Sequence, residues 1–273
     1  MGQFDNFKGR MISAIVIVLI GVFMYMNHTE ENPVTGEKQH VAMSPEQEIR
    51  LGLQSAPEMS REMGGEVPAT DPRSIEVQKI GQLIVSQTEA GRSPWQFKFH
   101  LLADNKTVNA FALPGGQIFI TMGLLDKLQT EAQLAGVLSH EIGHVIERHS
   151  AQQMAKNQLG QALVAAVVAG TNDQRGMMAA AVVNQMMQLR YSRHDESQAD
   201  EWGLKLMEKV GFDPAAMIQV MEILKAAGGK DGGLEIFHTH PNPDLRMEQI
   251  RAYLKEHPPK GNMSEGKKLR EIF

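Results

Sequence analysis

The chain has no cysteine among its 273 residues. This absence excludes disulfides, thiol nucleophiles, cysteine-based zinc sites and a lipid-modified N-terminal cysteine, so any bound metal must be held by histidine and carboxylate side chains. Aromatic residues are also scarce, at 5% of the chain, whereas methionine is common, with 18 residues. Because methionine side chains are unbranched and adaptable, this composition predicts a helical, aliphatic core that is partly filled by methionine.

Long basic runs are absent as well. Lys and Arg total 27 against 32 for Asp and Glu, which gives a formal net charge of −5. A nucleic-acid-binding protein needs a basic footprint, so that class is excluded. The hydrophobic fraction of 42% is ample for a core, either in one large domain or in two small ones.

Only one long apolar run is present, at residues 11–26, with Lys8 and Arg10 before it and Glu30 and Glu31 after it. As a helix it would span about 24 Å, which is marginal for a bilayer core of about 30 Å. No small-residue cleavage site follows, so an uncleaved single-pass membrane anchor is favoured over a signal peptide that is removed on secretion to the periplasm. The charge asymmetry predicts a cytoplasmic N-terminus, with the remainder of the chain on the other side of the membrane.

An H-E-x-x-H motif occupies residues 140–144. On a helix, His140 and His144 project from one face one turn apart, which is the arrangement that two zinc ligands need. Glu141 lies beside them and is placed to act as a general base. The flanking residues are apolar, so this helix is predicted to be mostly buried, where its polar side chains need partners that a metal provides. A surface helix that carries these residues by chance is the weaker alternative.

A catalytic zinc has three protein ligands and one open position. A third histidine on the same helix would require glycine at position 147 and histidine at position 150, where the chain has Glu147 and Ser150. His149 would lie about 180° round the helix from His140. It is therefore predicted to be a surface residue or one that supports a ligand.

Better candidates for the third ligand lie further along the chain. Glu196 and Asp200 are four residues apart and share a helical face, so one could bind zinc while the other orients a ligand imidazole. A solvated acidic face is the alternative. The spacing alone leaves both interpretations open.

Residue periodicity predicts an α+β fold that is mostly helical, with a small three-stranded sheet before the H-E-x-x-H helix. Pro57 is expected to kink or split the helix that contains it. The strands are expected at residues 97–101, 108–113 and 117–121. The helices are expected at residues 44–63, 72–90, 130–156, 162–169, 176–189, 192–210 and 213–228, with a last one opening at Pro243.

These elements suggest four parts of the chain. An anchor at residues 1–26 and a linker at 27–43 would precede a catalytic domain at 44–257, and a polar tail at 258–273 gives no readable signal. The Ala- and Met-rich helices within residues 159–189 are assigned to the core rather than to a cover over the cleft.

Four stretches, in this order and at this spacing, resemble a known family. They are Asn109-Ala110 followed by Pro114-Gly115-Gly116, residues 140–144, Arg193 through Glu196 to Asp200, and His240-Pro241 with Arg246. Across residues 45–255 the chain resembles the membrane-associated zinc metallopeptidases of the CAAX prenyl protease and HtpX family, a branch of the gluzincins. The greatest likeness is to single-domain bacterial envelope members of the BepA type, without the helical-repeat domain found in BepA.

The resemblance implies a zincin-type metalloendopeptidase that binds one Zn²⁺ per chain, with Glu141 as the general base. His240 would lie over the metal and either stabilise the oxyanion or occupy the open coordination site in a resting form. Asp200 and Arg246 would support the ligands. The implied zinc ligands are His140, His144 and Glu196.

Unfolded or misfolded polypeptides are the implied substrates, in quality control of damaged envelope proteins. An extended substrate would add to an edge strand. That edge is expected at residues 116–121, and the residues expected to contact substrate are Asn109, Gly116, Gln117 and Ile118. Because CAAX prenyl protease has several membrane spans and this chain has one apolar run, processing of prenylated peptides is not expected.

Two other classes of function stay open. A latent protease could act as a chaperone-like binding protein whose zinc is capped by His240, or the zinc could be purely structural. Glu141 favours catalysis over both, because a structural zinc site needs no base.

Overall fold

The computed structural model describes residues 2–27, 29–41, 43–170, 191–228, 234 and 236–273. Helices dominate and the sheets are small, so the predicted α+β class is confirmed. The chain divides into two compact units. One contains the described parts of residues 1–32, 36–44 and 151–190, and the other contains those of 33–35, 45–150 and 191–273. The helix predicted at residues 176–189 lies outside the described residues.

The first unit begins with helix α1 (Gly2–Asn27), followed by strands β1 (Thr29–Glu31) and β2 (Lys38–His40). The two strands pair antiparallel within the segment that was predicted to be a linker, with Thr29 opposite His40. The His40 ring stacks on Tyr25 of α1 at 4.7 Å. None of the helices in the described part of the chain is both long enough and apolar enough to cross a membrane, so the anchor predicted at residues 11–26 is not supported.

A three-stranded sheet lies in the second unit. It consists of β3 (Lys98–Leu102), β4 (Ala110–Leu113) and β5 (Gln117–Thr121) in the order β3-β5-β4. β5 runs parallel to β3 and antiparallel to β4, and all five of its residues are buried. The prediction that residues 116–121 form an edge strand is therefore wrong. Both sides of β5 are hydrogen-bonded to strands that precede it in the chain, which leaves β3 and β4 at the edges.

Two helices precede this sheet, α2 (Pro45–Glu62) and α3 (Pro72–Gln87). Asp71 caps α3 by accepting a hydrogen bond from the Arg73 backbone N–H. α2 continues through Pro57, so the predicted split does not occur. A Cβ on Gly52 of α2 would lie 2.1 Å from the Pro114 carbonyl oxygen, which shows that α2 is held by close packing against the turn before β5.

A short helix α4 (Met122–Leu125) leads into α5 (Glu131–Ile146), which carries the H-E-x-x-H motif and is buried at every residue. Thr130 caps α5 by accepting a hydrogen bond from the Gln133 N–H. α5 ends at Ile146, and α6 (His149–Gly170) begins after Arg148, whose φ is 59°. The predicted continuous helix through His149 is therefore wrong, because a residue in the left-handed region ends the helix at this point.

Helix α7 (Arg193–Lys209) packs on α5 and begins with a capping box between Ser192 and Asp195. The two helices touch through glycine: a Cβ on Gly143 would lie 2.9 Å from the Ala199 carbonyl oxygen. This close backbone approach brings the acidic face of α7 to the histidine face of α5. Helices α8 (Ala216–Gly228), α9 (Ile236–Thr239) and α10 (Pro243–Glu256) complete the unit.

The polar C-terminal segment packs onto the start of α5. The backbone N–H groups of Glu131 and Ala132, in the first turn of α5, donate to the carbonyl oxygens of Lys267 and Glu265, each at 3.0 Å. Leu269 is buried in the main core. The segment therefore satisfies the unpaired donors that every helix N-terminus carries.

Candidate metal centre

The two histidines that were predicted to be zinc ligands face each other on α5. His140 Nε2 and His144 Nε2 are 3.1 Å apart. Glu196, from the first turn of α7, places Oε1 at 3.5 Å from His144 Nε2 and Oε2 at 3.6 Å from His140 Nε2. A tetrahedral zinc ion with bonds of about 2.0–2.1 Å holds its ligand atoms about 3.3 Å apart. The three side chains are therefore spaced as zinc ligands would be.

His240 joins the same cluster from the turn after α9. Its Nδ1 lies 3.0 Å from Glu196 Oε1 and 3.3 Å from His140 Nε2. One donor atom from each of the four residues lies within 4.8 Å of the others, and all four residues are buried. Two or three imidazoles with one carboxylate are a donor set that suits zinc.

Glu141 lies next to this cluster with its carboxylate directed at His240, Oε1 being 3.6 Å from His240 Nε2. Among the described residues, Glu141 Oε2 and His240 Nε2 have no hydrogen-bond partner although both are buried. Buried polar atoms in native proteins are nearly always satisfied. These two atoms fit a metal centre, because a bound metal and its reactants would supply hydrogen-bond partners that the described residues do not.

His140 is oriented by Asp200. His140 Nδ1 lies 3.0 Å from Asp200 Oδ1 and 3.3 Å from Arg246 Nη2, so its N–H donates to the nearer carboxylate. Arg246 holds that carboxylate with two hydrogen bonds, Nε to Oδ2 at 2.8 Å and Nη2 to Oδ1 at 2.5 Å. Its Nη1 lies 2.6 Å from Glu196 Oε2. One buried guanidinium thus contacts both acidic side chains on this face of α7.

The Arg246 guanidinium lowers the pKa of both neighbouring carboxylates. Burial by itself would raise the pKa of Glu196, but Arg246 and His240 outweigh burial and hold that pKa well below its usual value. Burial also acts to raise the pKa of Asp200, and Arg246 again reverses the direction. Both carboxylates are therefore ionised and able to receive a cation.

The pKa values of Glu141 and His240 are both raised, but for different reasons. Burial raises the pKa of Glu141, which makes its carboxylate a better proton acceptor. Burial acts to lower the pKa of His240, but the facing carboxylates of Glu196 and Glu141 outweigh it and the pKa is raised. The pair is therefore suited to exchanging protons with a bound reactant.

Three further residues lie around His144, and of these His149 alone was considered from the sequence, as a surface residue or one that supports a ligand. Tyr191 stacks on its ring with a centroid distance of 4.1 Å and an interplanar angle of 26°. His149 Nδ1 lies 2.8 Å from His144 Nδ1, and His149 Nε2 lies 3.2 Å from Gln198 Oε1. Residues two apart on a helix do not face each other, so the spacing of Gln198 from Glu196 gave no signal for this contact. The direction of the His149 ring was not predicted, because the helix was expected to continue through this residue and to turn the ring away from His140.

An apolar cleft of about 500 Å³ opens beside Glu141 and His240. Its polar lining comes from the metal cluster and Arg246, and the rest is hydrophobic. The apolar residues that line it include Val137, Met217, Val220, Met221, Leu224 and Phe237.

The strand residues predicted to contact substrate do not join this cluster. The Gln117 side chain bonds to His100 Nε2 at 3.1 Å and to the Gln96 carbonyl at 3.0 Å. Gly116 has a φ of 110°, and a Cβ there would lie 2.9 Å from Gln96 backbone atoms, so it serves a tight backbone contact. Ile118 is fully buried in the core.

Asn109 leads into β4 instead. Its carbonyl accepts the Thr121 N–H at 3.0 Å, which makes residues 109 and 121 a hydrogen-bonded pair. Because such pairs alternate along an antiparallel ladder, Ala110 and Ala112 direct their backbone groups away from β5. β4, rather than β5, presents an outer edge.

Known proteins resemble this chain over most of its length. The sequence model described as "Peptidase family M48" matches residues 72–254. The mitochondrial metalloendopeptidase OMA1 of Schizosaccharomyces pombe is 32% identical over 238 residues, which cover 86% of this chain and 69% of that protein. The beta-barrel assembly-enhancing protease of Escherichia coli is 29% identical over 259 residues, which cover 90% of this chain and 51% of that protein. This chain therefore spans about half the length of the bacterial relative.

Proposed function

Since the chain belongs to peptidase family M48, whose members are zinc metallopeptidases, we propose that it is an endopeptidase that hydrolyses unfolded or damaged proteins of a bacterial cell envelope. The observation that carries this proposal is the position of Glu141. It is a buried carboxylate with one oxygen that no described residue hydrogen-bonds, and it lies beside His140, His144 and Glu196, whose facing donor atoms are 3.1, 3.5 and 3.6 Å apart. A structural zinc site would have no use for such a group.

The proposed zinc ligands are His140, His144 and Glu196. When bound there, zinc polarises the scissile carbonyl and lowers the pKa of water to about 7. The Glu141 carboxylate takes the proton of the attacking water, and its raised pKa favours this transfer. Glu141 then returns that proton to the leaving amine nitrogen, so one residue serves as base and then as acid.

Two features favour extended, unfolded substrates. β4 lies at an edge of the sheet, where an added strand would pair with the outward carbonyl of Ala112 in place of the Ser150 hydroxyl that donates to it at 3.4 Å. A folded protein does not offer such a strand. The apolar cleft beside Glu141 can receive a hydrophobic side chain next to the scissile bond. Such side chains are buried in native proteins and exposed in damaged ones.

The bacterial envelope is the proposed location. One relative is named for enhancing β-barrel assembly, and β-barrels of the outer membrane are assembled in that compartment. Protein quality control is the proposed role, by analogy with that name and with the preference for unfolded chains.

A second candidate function is a latent protease that binds unfolded clients like a chaperone. The position of His240 favours it, because Nδ1 lies 3.0 Å from Glu196 Oε1 and 3.3 Å from His140 Nε2, close to the separation of zinc ligands. A ring in this place would cap the fourth coordination position. Hydrolysis would then require His240 to withdraw.

The test is casein digestion by the full chain, with Glu141→Gln beside the wild type and zinc counted in both. The variant should retain zinc and lose activity on the order of a thousandfold, because the general base is gone while the ligands are intact. Glu222→Gln, on the exposed face of α8, is the matched control and should digest casein like the wild type. Equal digestion by Glu141→Gln and the wild type would refute the proposal. Protection of unfolded clients by a chain that never digests casein would favour the second candidate.

A further inference from the structure

Because the helix breaks between α5 and α6, the His149 ring lies against His144 of the candidate metal centre. Arg148 has a φ of 59°, and the residue after it points its ring back at α5. His149 is only 1% exposed. Its Nδ1 lies 2.8 Å from His144 Nδ1, and its Nε2 lies 3.2 Å from Gln198 Oε1. Both ring nitrogens of this buried histidine are therefore engaged.

The hydrogen positions in this chain of contacts follow from the metal site. His144 Nε2 faces His140 Nε2 at 3.1 Å and Glu196 Oε1 at 3.5 Å, so Nε2 must keep its lone pair for the metal. A neutral imidazole then carries its hydrogen on Nδ1. That N–H can donate to His149 Nδ1, which must in turn be unprotonated. His149 consequently carries its hydrogen on Nε2 and donates it to Gln198 Oε1.

We propose that His149 is the positioning residue of ligand His144, accepting the Nδ1–H of that ring as Asp200 accepts the Nδ1–H of His140. The inference rests on the proposed zinc site. A metal-bound histidine needs such an acceptor to fix its tautomer and the direction of its ring. Here the two ligand histidines have different acceptors, a carboxylate that is held by Arg246 for one and a neutral imidazole for the other.

A role in packing alone would leave a different signature from a role as acceptor. In His149→Leu the side chain fills space but cannot accept a hydrogen bond. In His149→Asn the amide oxygen occupies roughly the place of Nδ1 and can accept the His144 N–H, while Nδ2 remains a donor. Packing alone predicts that Leu is the better substitute in this buried position. A positioning role predicts that Asn is the better substitute.

The experiment measures the zinc dissociation constant of the full chain by competition with a chromophoric chelator. The His149→Leu constant should rise about 10- to 100-fold, whereas that of His149→Asn should stay near the wild-type value. Thermal unfolding of the metal-free variants identifies any loss of affinity that comes from misfolding. Wild-type affinity in His149→Leu, or weaker binding by Asn than by Leu, would overturn the proposal.

A spectroscopic readout and a third variant complete the test. Long-range ¹H–¹⁵N spectra of the zinc-loaded wild type should show His144 with its hydrogen on Nδ1 and His149 with its hydrogen on Nε2, and hydrogen on Nδ1 of His149 would overturn the proposal. His144→Ala should abolish zinc binding if the zinc site itself is correct. Retention of zinc by His144→Ala would refute the site, whereas its loss together with retention by His149→Leu would refute only the positioning role.

Discussion

Arg148 and Glu48 form an ion pair that is closed off from solvent, with Nη2 at 2.7 Å and Nε at 2.9 Å from the same carboxylate oxygen. The two side chains are 0% and 2% exposed. Arg148 is also the residue in the left-handed region that ends α5. The pair therefore links α2 to the backbone turn that brings His149 to His144.

Removing the charge of Glu48 should destabilise the protein strongly. Glu48→Gln keeps the shape of the side chain but removes the negative charge that lies 2.7 Å from a buried guanidinium, which should lower the free energy of unfolding by about 3 kcal/mol. Urea denaturation monitored by circular dichroism measures the loss. Glu62→Gln, exposed near the end of the same helix, should change stability by less than about 0.5 kcal/mol. Equal stability of the two variants would mean that the pair is not needed.

The glycine contact between α5 and α7 should be intolerant of a methyl group. A Cβ at Gly143 would meet the Ala199 carbonyl oxygen at 2.9 Å and the Trp202 Cβ at 3.0 Å. Gly143→Ala should therefore force the helices apart, cost about 1–3 kcal/mol of stability and weaken zinc binding by moving Glu196. Denaturation and zinc titration measure both effects.

Gly136→Ala is the matched control on the same helix. Its Cβ would meet only the flexible side chain of Met217, at 3.1 Å, and that of Met207, at 3.6 Å. The higher helix propensity of alanine, worth about 0.5–1 kcal/mol, should offset this crowding. If Gly143→Ala were as stable as Gly136→Ala, the close approach of α5 and α7 would not be a constraint.

The C-terminal segment should contribute measurably to stability. Leu269 is 1% exposed and its N–H donates to the Gln129 carbonyl at 2.9 Å, just before α5. Leu269→Ala should lower the free energy of unfolding by about 2–4 kcal/mol through the lost burial and the cavity. Phe273→Ala, at a residue that is 42% exposed, should cost less than about 1 kcal/mol. Unchanged denaturation of Leu269→Ala would show that this segment does not pack on the core in solution.

The variant His240→Ala should distinguish between the two roles considered for this histidine, namely capping the fourth coordination position and stabilising the oxyanion. Its Nδ1 lies 3.0 Å from Glu196 Oε1 and 3.3 Å from His140 Nε2, so if the ring caps the fourth coordination position the variant should open that position and increase casein hydrolysis. Zinc content should persist, because three ligands remain. A fall in activity on the order of a hundredfold would instead assign His240 to the oxyanion.

Some of this protein could be predicted because the relevant physics is local. The four-residue spacing of His140 and His144 places two imidazoles on one helical face whatever the rest of the chain does. Periodicity likewise predicted the α+β class and the small sheet before α5. Helix ends were harder: the break at Arg148 carries no glycine or proline signal, and the buried partner that stabilises it lies 100 residues earlier in the sequence.

The order of the strands in the three-stranded sheet was not predicted correctly from the sequence. Strands β4 and β5 are neighbours in sequence and look alike, and nothing in their residues indicates that β3 pairs with the far side of β5. Gln117 and Gly116 consequently serve backbone packing instead of an open edge. The polar C-terminal residues likewise showed no sequence pattern that predicts their position, because they are held by backbone hydrogen bonds to the start of α5.

By itself the sequence determined the chemistry that is available: histidine and carboxylate donors without cysteine, and a helix that presents two imidazoles beside a glutamate. Only the tertiary structure decided which distant groups meet them, namely Glu196 across the glycine contact, Arg246 against both acidic side chains, and His149 around the break in the helix. The physical reason is that helical periodicity depends on neighbours in the chain, whereas these encounters depend on how the helices pack.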